Sequence, residues 1–209
     1  MTTRSQIIAA VLLAVATYGV LVRIAEAKVE HAVGAGGFPL DAGRPPELEA
    51  FERERTSLAE IGEQRFADRL EALRQEGALW VSPGLGADRW AVFVESLRLV
   101  RRIYVRREAL LDPRRHLFPV SRRDIPEANQ RAFAWISLSG ALRHELAHYD
   151  GMIEESDAYA VEIAWYEARR ASPWFTSLAP EQRGVFSWAL ESAVLTARRA
   201  RATAAGAHP

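Results

Sequence analysis

The sequence predicts an α+β domain, predominantly helical, with two or three short strands, standing behind an N-terminal transmembrane or signal helix. Three observations carry this. Apolar residues recur at three- and four-residue steps over long stretches of the chain. Short apolar or β-branched runs near residues 78–81 and 101–107 break that pattern. The chain also opens on an uncharged apolar run. Its 209 residues suit one core. The 27 basic and 27 acidic side chains cancel, which argues against holding nucleic acid by bulk electrostatics. The absence of cysteine excludes disulfides, thiolate metal sites and cysteine nucleophiles.

Gln6 to Val22 (QIIAAVLLAVATYGVLV) carries no charge and lies between Arg4 and Arg23. A bilayer core takes about 20 apolar residues, with a lower limit near 17, so the run reads as a membrane anchor. It reads equally as a signal segment, with Ala25-Glu26-Ala27 as an A-x-A cleavage site. Lys and Arg nearly tie across the run. The direction of the A-x-A site favours the N-terminus inside and the domain outside the cytoplasm, membrane-anchored or secreted. Residues 1–30 are thus the anchor or signal segment. Residues 31–46, with four glycines and three prolines, form a linker. Residues 47–205 form the domain.

Within it, Leu48, Phe51, Leu58, Ile61, Phe66, Leu70 and Leu73 mark an amphipathic helix over Glu47–Glu76, interrupted near Gly62. Ala78-Leu79-Trp80-Val81 is a strand closed by a turn at Ser82-Pro83-Gly84. Asp88 is placed to cap a helix bearing Trp90, Phe93, Val94 and Leu97, though a strand over Trp90–Val94 fits the same residues. Arg101–Arg107 is a second strand, followed by a loop broken by Pro113 and Pro119. Asp124, Pro126 and Glu127 start a long helix that stops at Gly151. Ile153–Arg170 and Pro180–Arg201 are further helices, with Pro173 between them. Nine arginines between Arg98 and Arg123 face only Glu108 and Asp112. This stretch is a solvated face paired with the acidic helix of residues 47–76, and its sparse aromatics give no platform for nucleic acid.

The long helix ends in His144-Glu145-Leu146-Ala147-His148. Positions four apart share a helix face, so two imidazoles converge on one zinc ion, and Glu145 beside them is placed to take a proton from the zinc-bound water. With five histidines in 209 residues, the pattern is expected by chance only about 0.01 times. Catalytic zinc takes three protein ligands. Only terminal His208 follows, so the third is a carboxylate. Gly151 can end the helix in a left-handed conformation and turn the chain back, bringing Glu154, Glu155 or Asp157 toward the histidines.

These residues resemble the HExxH zinc metallopeptidases, the zincins, and most closely the gluzincins, whose third ligand is a glutamate in an E-x-x-A helix. Glu155-Ser156-Asp157-Ala158 matches that pattern. The rival register is that of the metzincins, with Gly151 on their glycine and Glu154 on their third-ligand position. The resemblance implies zinc held by His144, His148 and Glu155, with Glu154 as the alternative, and peptide-bond hydrolysis driven by Glu145. It also implies a peptide or protein substrate held along an edge strand, for which RRIYVRREALL is the candidate. Asp157 or Glu162 would accept the second N–H of a zinc histidine. Tyr159, Tyr166 or His116 would steady the oxyanion. The same motif serves a second class of protein, a non-proteolytic zinc-binding envelope protein such as a sensor or assembly factor. A metal-free helical scaffold is a third reading.

Overall fold

A computed structural model of the chain describes residues 3–34, 36–42, 44–86, 88–118 and 124–206, with the side chains of 3–6, 9 and 10 outside that description. Pro119, the end of the arginine-rich stretch and His208 therefore lie outside it. Helix α1 (Thr3–Val33) leads into β1 (Phe38–Pro39), α2 (Pro45–Glu60), α3 (Gln64–Gln75) and β2 (Leu79–Ser82). Next come β3 (Ala91–Ser96), β4 (Val100–Arg106), α4 (Arg107–Leu111) and α5 (Pro113–Leu117). The chain ends in α6 (Glu127–Tyr149), α7 (Glu155–Arg170), α8 (Pro173–Ser177) and α9 (Pro180–Ala204). The predominantly helical α+β class holds.

The acidic helix breaks where expected: Gly62 takes φ 83° between α2 and α3, a conformation that favours glycine. Both predicted strands form. The Asp88-capped helix does not, because residues 91–96 are β3 and the strand alternative is the one adopted. The loop expected around Pro113 is instead α4 and α5, with Asp112 accepting from Arg115 N at 2.9 Å as the cap of α5. Within residues 31–46, α1 runs on to Val33 and β1 pairs with β2, Phe38 opposite Val81. Among the described residues the arginine stretch pairs with the acidic helix only through Arg107 and Glu47. Arg101, Arg102 and Arg106 reach Glu95, Glu26 and Glu108 instead.

The sheet order is β1-β2-β4-β3, with β2 parallel to β4 and β3 antiparallel to it. β4 thus lies inside, and β3 is an edge. One face carries Val92, Val94, Val100 and Tyr104 against Ala25, Val29 and Val33 of α1. The other face turns Ala91, Phe93, Ile103 and Val105 into the main core, which includes Leu70, Leu79, Ile136, Leu142 and Leu190. Helix α6 runs through that core, touching β3, β4, α5, α7 and α9. Among the residues whose side chains are described, which leaves out 3–6, 9 and 10 of α1, no helix is long and apolar enough to cross a membrane.

Candidate metal centre

Helix α6 ends in a turn that builds half of the site. Gly151 N donates to His148 O and Met152 N to Ala147 O, both at 3.0 Å, and Gly151 takes φ 108°. This is the Schellman pairing, with glycine in the left-handed position. The turn presents Met152 O to His148 Nδ1 at 2.8 Å. It also reverses the chain, so that α7 starts at Glu155 with the backbone of Glu154 as its N-cap.

The reversal brings three donors together. Glu155 Oε1 lies 3.2 Å from His144 Nε2, and Oε2 lies 3.0 Å from His148 Nε2. The two Nε2 atoms are 3.2 Å apart. A tetrahedral site with bonds of about 2.0–2.1 Å has donor-to-donor edges of about 3.3–3.4 Å, so the spacing fits a zinc-sized cation. Both outer ring nitrogens face acceptors: His148 Nδ1 the Met152 carbonyl, His144 Nδ1 the Glu162 carboxylate at 3.4 Å. That last separation is an ion-pair distance, and Nδ1 makes no aligned hydrogen bond. Acceptors at both Nδ1 atoms favour the tautomer whose Nε2 lone pairs point inward, toward the carboxylate. Three electron-rich donors so close require a proton or a cation between them. His144, His148 and Glu155 can hold a metal ion.

Of the other predicted ligands, Glu154 and Asp157 are exposed, and neither joins this group. Glu162, one of the two predicted supports for a histidine, stands beside His144 and is itself held. Its Oε1 accepts from the Tyr166 hydroxyl at 2.6 Å. Tyr166 fits only because residue 140 is glycine, since a Cβ there would lie 1.9 Å from the hydroxyl. The sequence carried no signal for this chain of Gly140, Tyr166, Glu162 and His144, because a helical glycine and a core tyrosine are unremarkable singly. Tyr166 is thereby committed to Glu162 rather than free to meet a substrate.

Glu145 lines the same cleft of about 680 Å³ as His144, His148, Glu155 and Tyr159. Its Oε2 accepts from Phe93 N at 2.6 Å, across from edge strand β3. Sequence reading placed the edge strand at RRIYVRREALL, yet β4 is interior and β3 borders the cleft. Burial pushes the Glu145 carboxyl up, against the pull of His144, the Phe93 N–H and His148. Burial draws the His144 imidazole down, but Glu162, Glu145 and Glu155 outweigh it and the net shift is upward. The Tyr159 ring meets His144 edge-on with centroids 4.4 Å apart. Burial and then the neighbouring carboxylates push its hydroxyl up to about 12, so it stays a donor at neutral pH. His116 packs against Trp90 with centroids 4.6 Å apart, beside the cleft rather than among the donors.

Glu63, in the break between α2 and α3, ties α6 to α7. Its two oxygens bind Arg143 of α6 and Arg169 of α7, each at 2.7 Å. Comparison with protein-family models, with curated proteins and with solved structures finds no match to this chain.

Proposed function

We propose that the chain is a zinc-dependent peptidase of the zincin type, anchored to a membrane through residues 6–22 with its domain outside the cytoplasm. One observation carries the reading: His144, His148 and Glu155 converge at zinc spacing while Glu145 lines the same cleft. Two imidazoles and a carboxylate are a zinc donor set that leaves one position open. A zinc ion there supplies Lewis-acid polarisation and lowers the pKa of water to about 7.

The chain's own groups do the rest. Glu145, raised by burial, takes a proton from the attacking water and passes it to the departing amine nitrogen. The Tyr159 hydroxyl donates toward the oxyanion. Because Phe93 N–H points out of the sheet edge, the backbone of Ala91 and Phe93 faces the cleft, and Ala91 N–H with the Ala91 and Phe93 carbonyls can pair with an extended peptide. Phe93 N–H also fixes one oxygen of Glu145, which limits the orientations of the base.

The anchor reading rests on the uncharged run of residues 6–22 and on the exposure of Ile7, Val11, Leu12, Leu13, Val15 and Val20 around α1. It favours retention over cleavage. Ala25 of the A-x-A sequence is fully buried against the sheet, and Val29 and Val33 beyond it belong to the same cluster.

The experiment is hydrolysis of a peptide library by the wild type and by Glu145→Gln, with zinc measured in both. The reading expects cleavage by the wild type alone, at equal zinc. Cleavage by neither protein, with zinc bound to both, assigns the site to the non-proteolytic class.

A further inference from the structure

We infer that one end of the domain, formed by the β3–β4 turn and the α6–α7 loop, rests on the surface of the bilayer that holds α1. The inference rests on the anchor reading above and adds a second contact to it. Three contacts fix how α1 leaves the domain. Ser82 Oγ donates to Val33 O, Glu26 pairs with Arg102, and Ala25 packs in one cluster with Val100. Moving toward the N-terminus, α1 thus follows β4 back to its start and leaves the sheet beside the turn at Leu97-Arg98-Leu99. On the opposite face, α6 runs the same way. Glu145 meets Phe93, and the carbonyl of Tyr149 meets Arg101 near the same turn. The α6–α7 loop, residues 150–154, therefore lies at the end from which α1 departs.

That end displays apolar side chains that nothing covers. Outside α1, the large exposed hydrophobic residues among the described ones are Leu97 (49%), Ile153 (88%) and Leu195 (51%), and two of the three are here. Leu97 and Arg98 have φ of 53° and 58°. Both central positions of this tight turn are thus left-handed, the pattern that selects Asn and Gly. Such a backbone conformation is strained for a residue with a Cβ, and an exposed leucine gains nothing from packing to offset it. A lipid surface covers Leu97 and Ile153 and removes their apolar area from water. Arg98 is exposed in this turn, and Arg23, two residues before Ala25 on α1, is 86% exposed in a loose pair with Glu26; both cations suit anionic headgroups. Glu155 follows Ile153 by two residues. The contact consequently holds the metal centre within reach of chain segments that leave the bilayer.

Because the chain has no cysteine, single labels can be placed without background. The full chain is reconstituted in phosphatidylcholine and phosphatidylglycerol vesicles as Leu97→Cys, Ile153→Cys, Leu195→Cys or Val15→Cys. Each variant carries a fluorophore, and the vesicles carry headgroup or acyl-chain nitroxide lipids. The inference expects headgroup nitroxides to quench labels at 97 and 153 but not at 195, and acyl-chain nitroxides to quench the label at 15. Quenching at 15 with none at 97 or 153 overturns the surface contact and leaves the anchor intact. Absence of quenching at 15 overturns the anchor, and the contact with it.

Discussion

The hydroxyl of Tyr166 stands 1.9 Å from where a Cβ on residue 140 would lie, so the glycine of α6 and the tyrosine of α7 fill one space between them. The consequence reaches the metal centre, because that hydroxyl donates to Glu162 and Glu162 faces His144 Nδ1. Gly140→Ala should gain at most about 1 kcal/mol of helix propensity. It should lose about 1–3 kcal/mol to overpacking, since the clashing ring is rigid and fully buried. Urea titration of the two proteins checks the sign: the variant is expected to be the less stable.

Glu162→Gln keeps the shape and a hydrogen-bonding oxygen but removes the charge beside His144. Loss of such a support lowers metal affinity by roughly 10–100-fold. Asp157→Asn, on an exposed position of the same helix, should leave affinity unchanged. Competition against a zinc chelator separates the two. Equal affinities in both variants would remove Glu162 from the account.

The donors were legible in the sequence, and the strand beside them only as an alternative to a helix. His144, Glu145 and His148 follow from a spacing that places two rings on one helix face. The choice between Glu154 and Glu155 was left to the geometry of one turn, because the Schellman reversal at Gly151 decides which carboxylate faces back. The helix was preferred over the strand at Trp90–Val94 for a physical reason. Val92 and Val94 are covered by α1 while Ala91 and Phe93 face the main core and cleft, so the strand lacks the polar alternation of a half-exposed one. The acceptor role of Glu145 toward Phe93 was hidden with it.

Glu63 is 13% exposed and joins Arg143 and Arg169, which are 25% and 14% exposed. Glu63→Ala leaves two partly buried guanidinium groups without their shared carboxylate, a change that should cost up to about 3 kcal/mol. Glu167→Ala breaks a pair with Arg198 whose side chains are 51% and 62% exposed, and should cost under about 1 kcal/mol. Denaturant midpoints of the two variants give the comparison.

Glu54 introduces a pH dependence away from the site. Burial raises its carboxyl from 4.5 to about 7, although the Ser139 hydroxyl 2.5 Å from its Oε1 pulls the other way. A raised carboxyl binds its proton more tightly folded than unfolded. Its stabilisation is therefore complete below pH 4.5 and is lost as pH rises toward about 7, amounting to roughly 3 kcal/mol. The stability of wild type minus that of Glu54→Gln should fall across that window and flatten above it. A difference that stays level from pH 4.5 to 8 contradicts the assignment.

The central claim is that His144, His148 and Glu155 hold one zinc ion. Elemental analysis of purified wild type, His148→Ala, Glu155→Ala and Glu154→Ala tests it most directly. One zinc per chain is expected in the wild type and in Glu154→Ala, and its loss from His148→Ala and Glu155→Ala. A wild type without stoichiometric zinc, or zinc lost from Glu154→Ala and kept in Glu155→Ala, contradicts it.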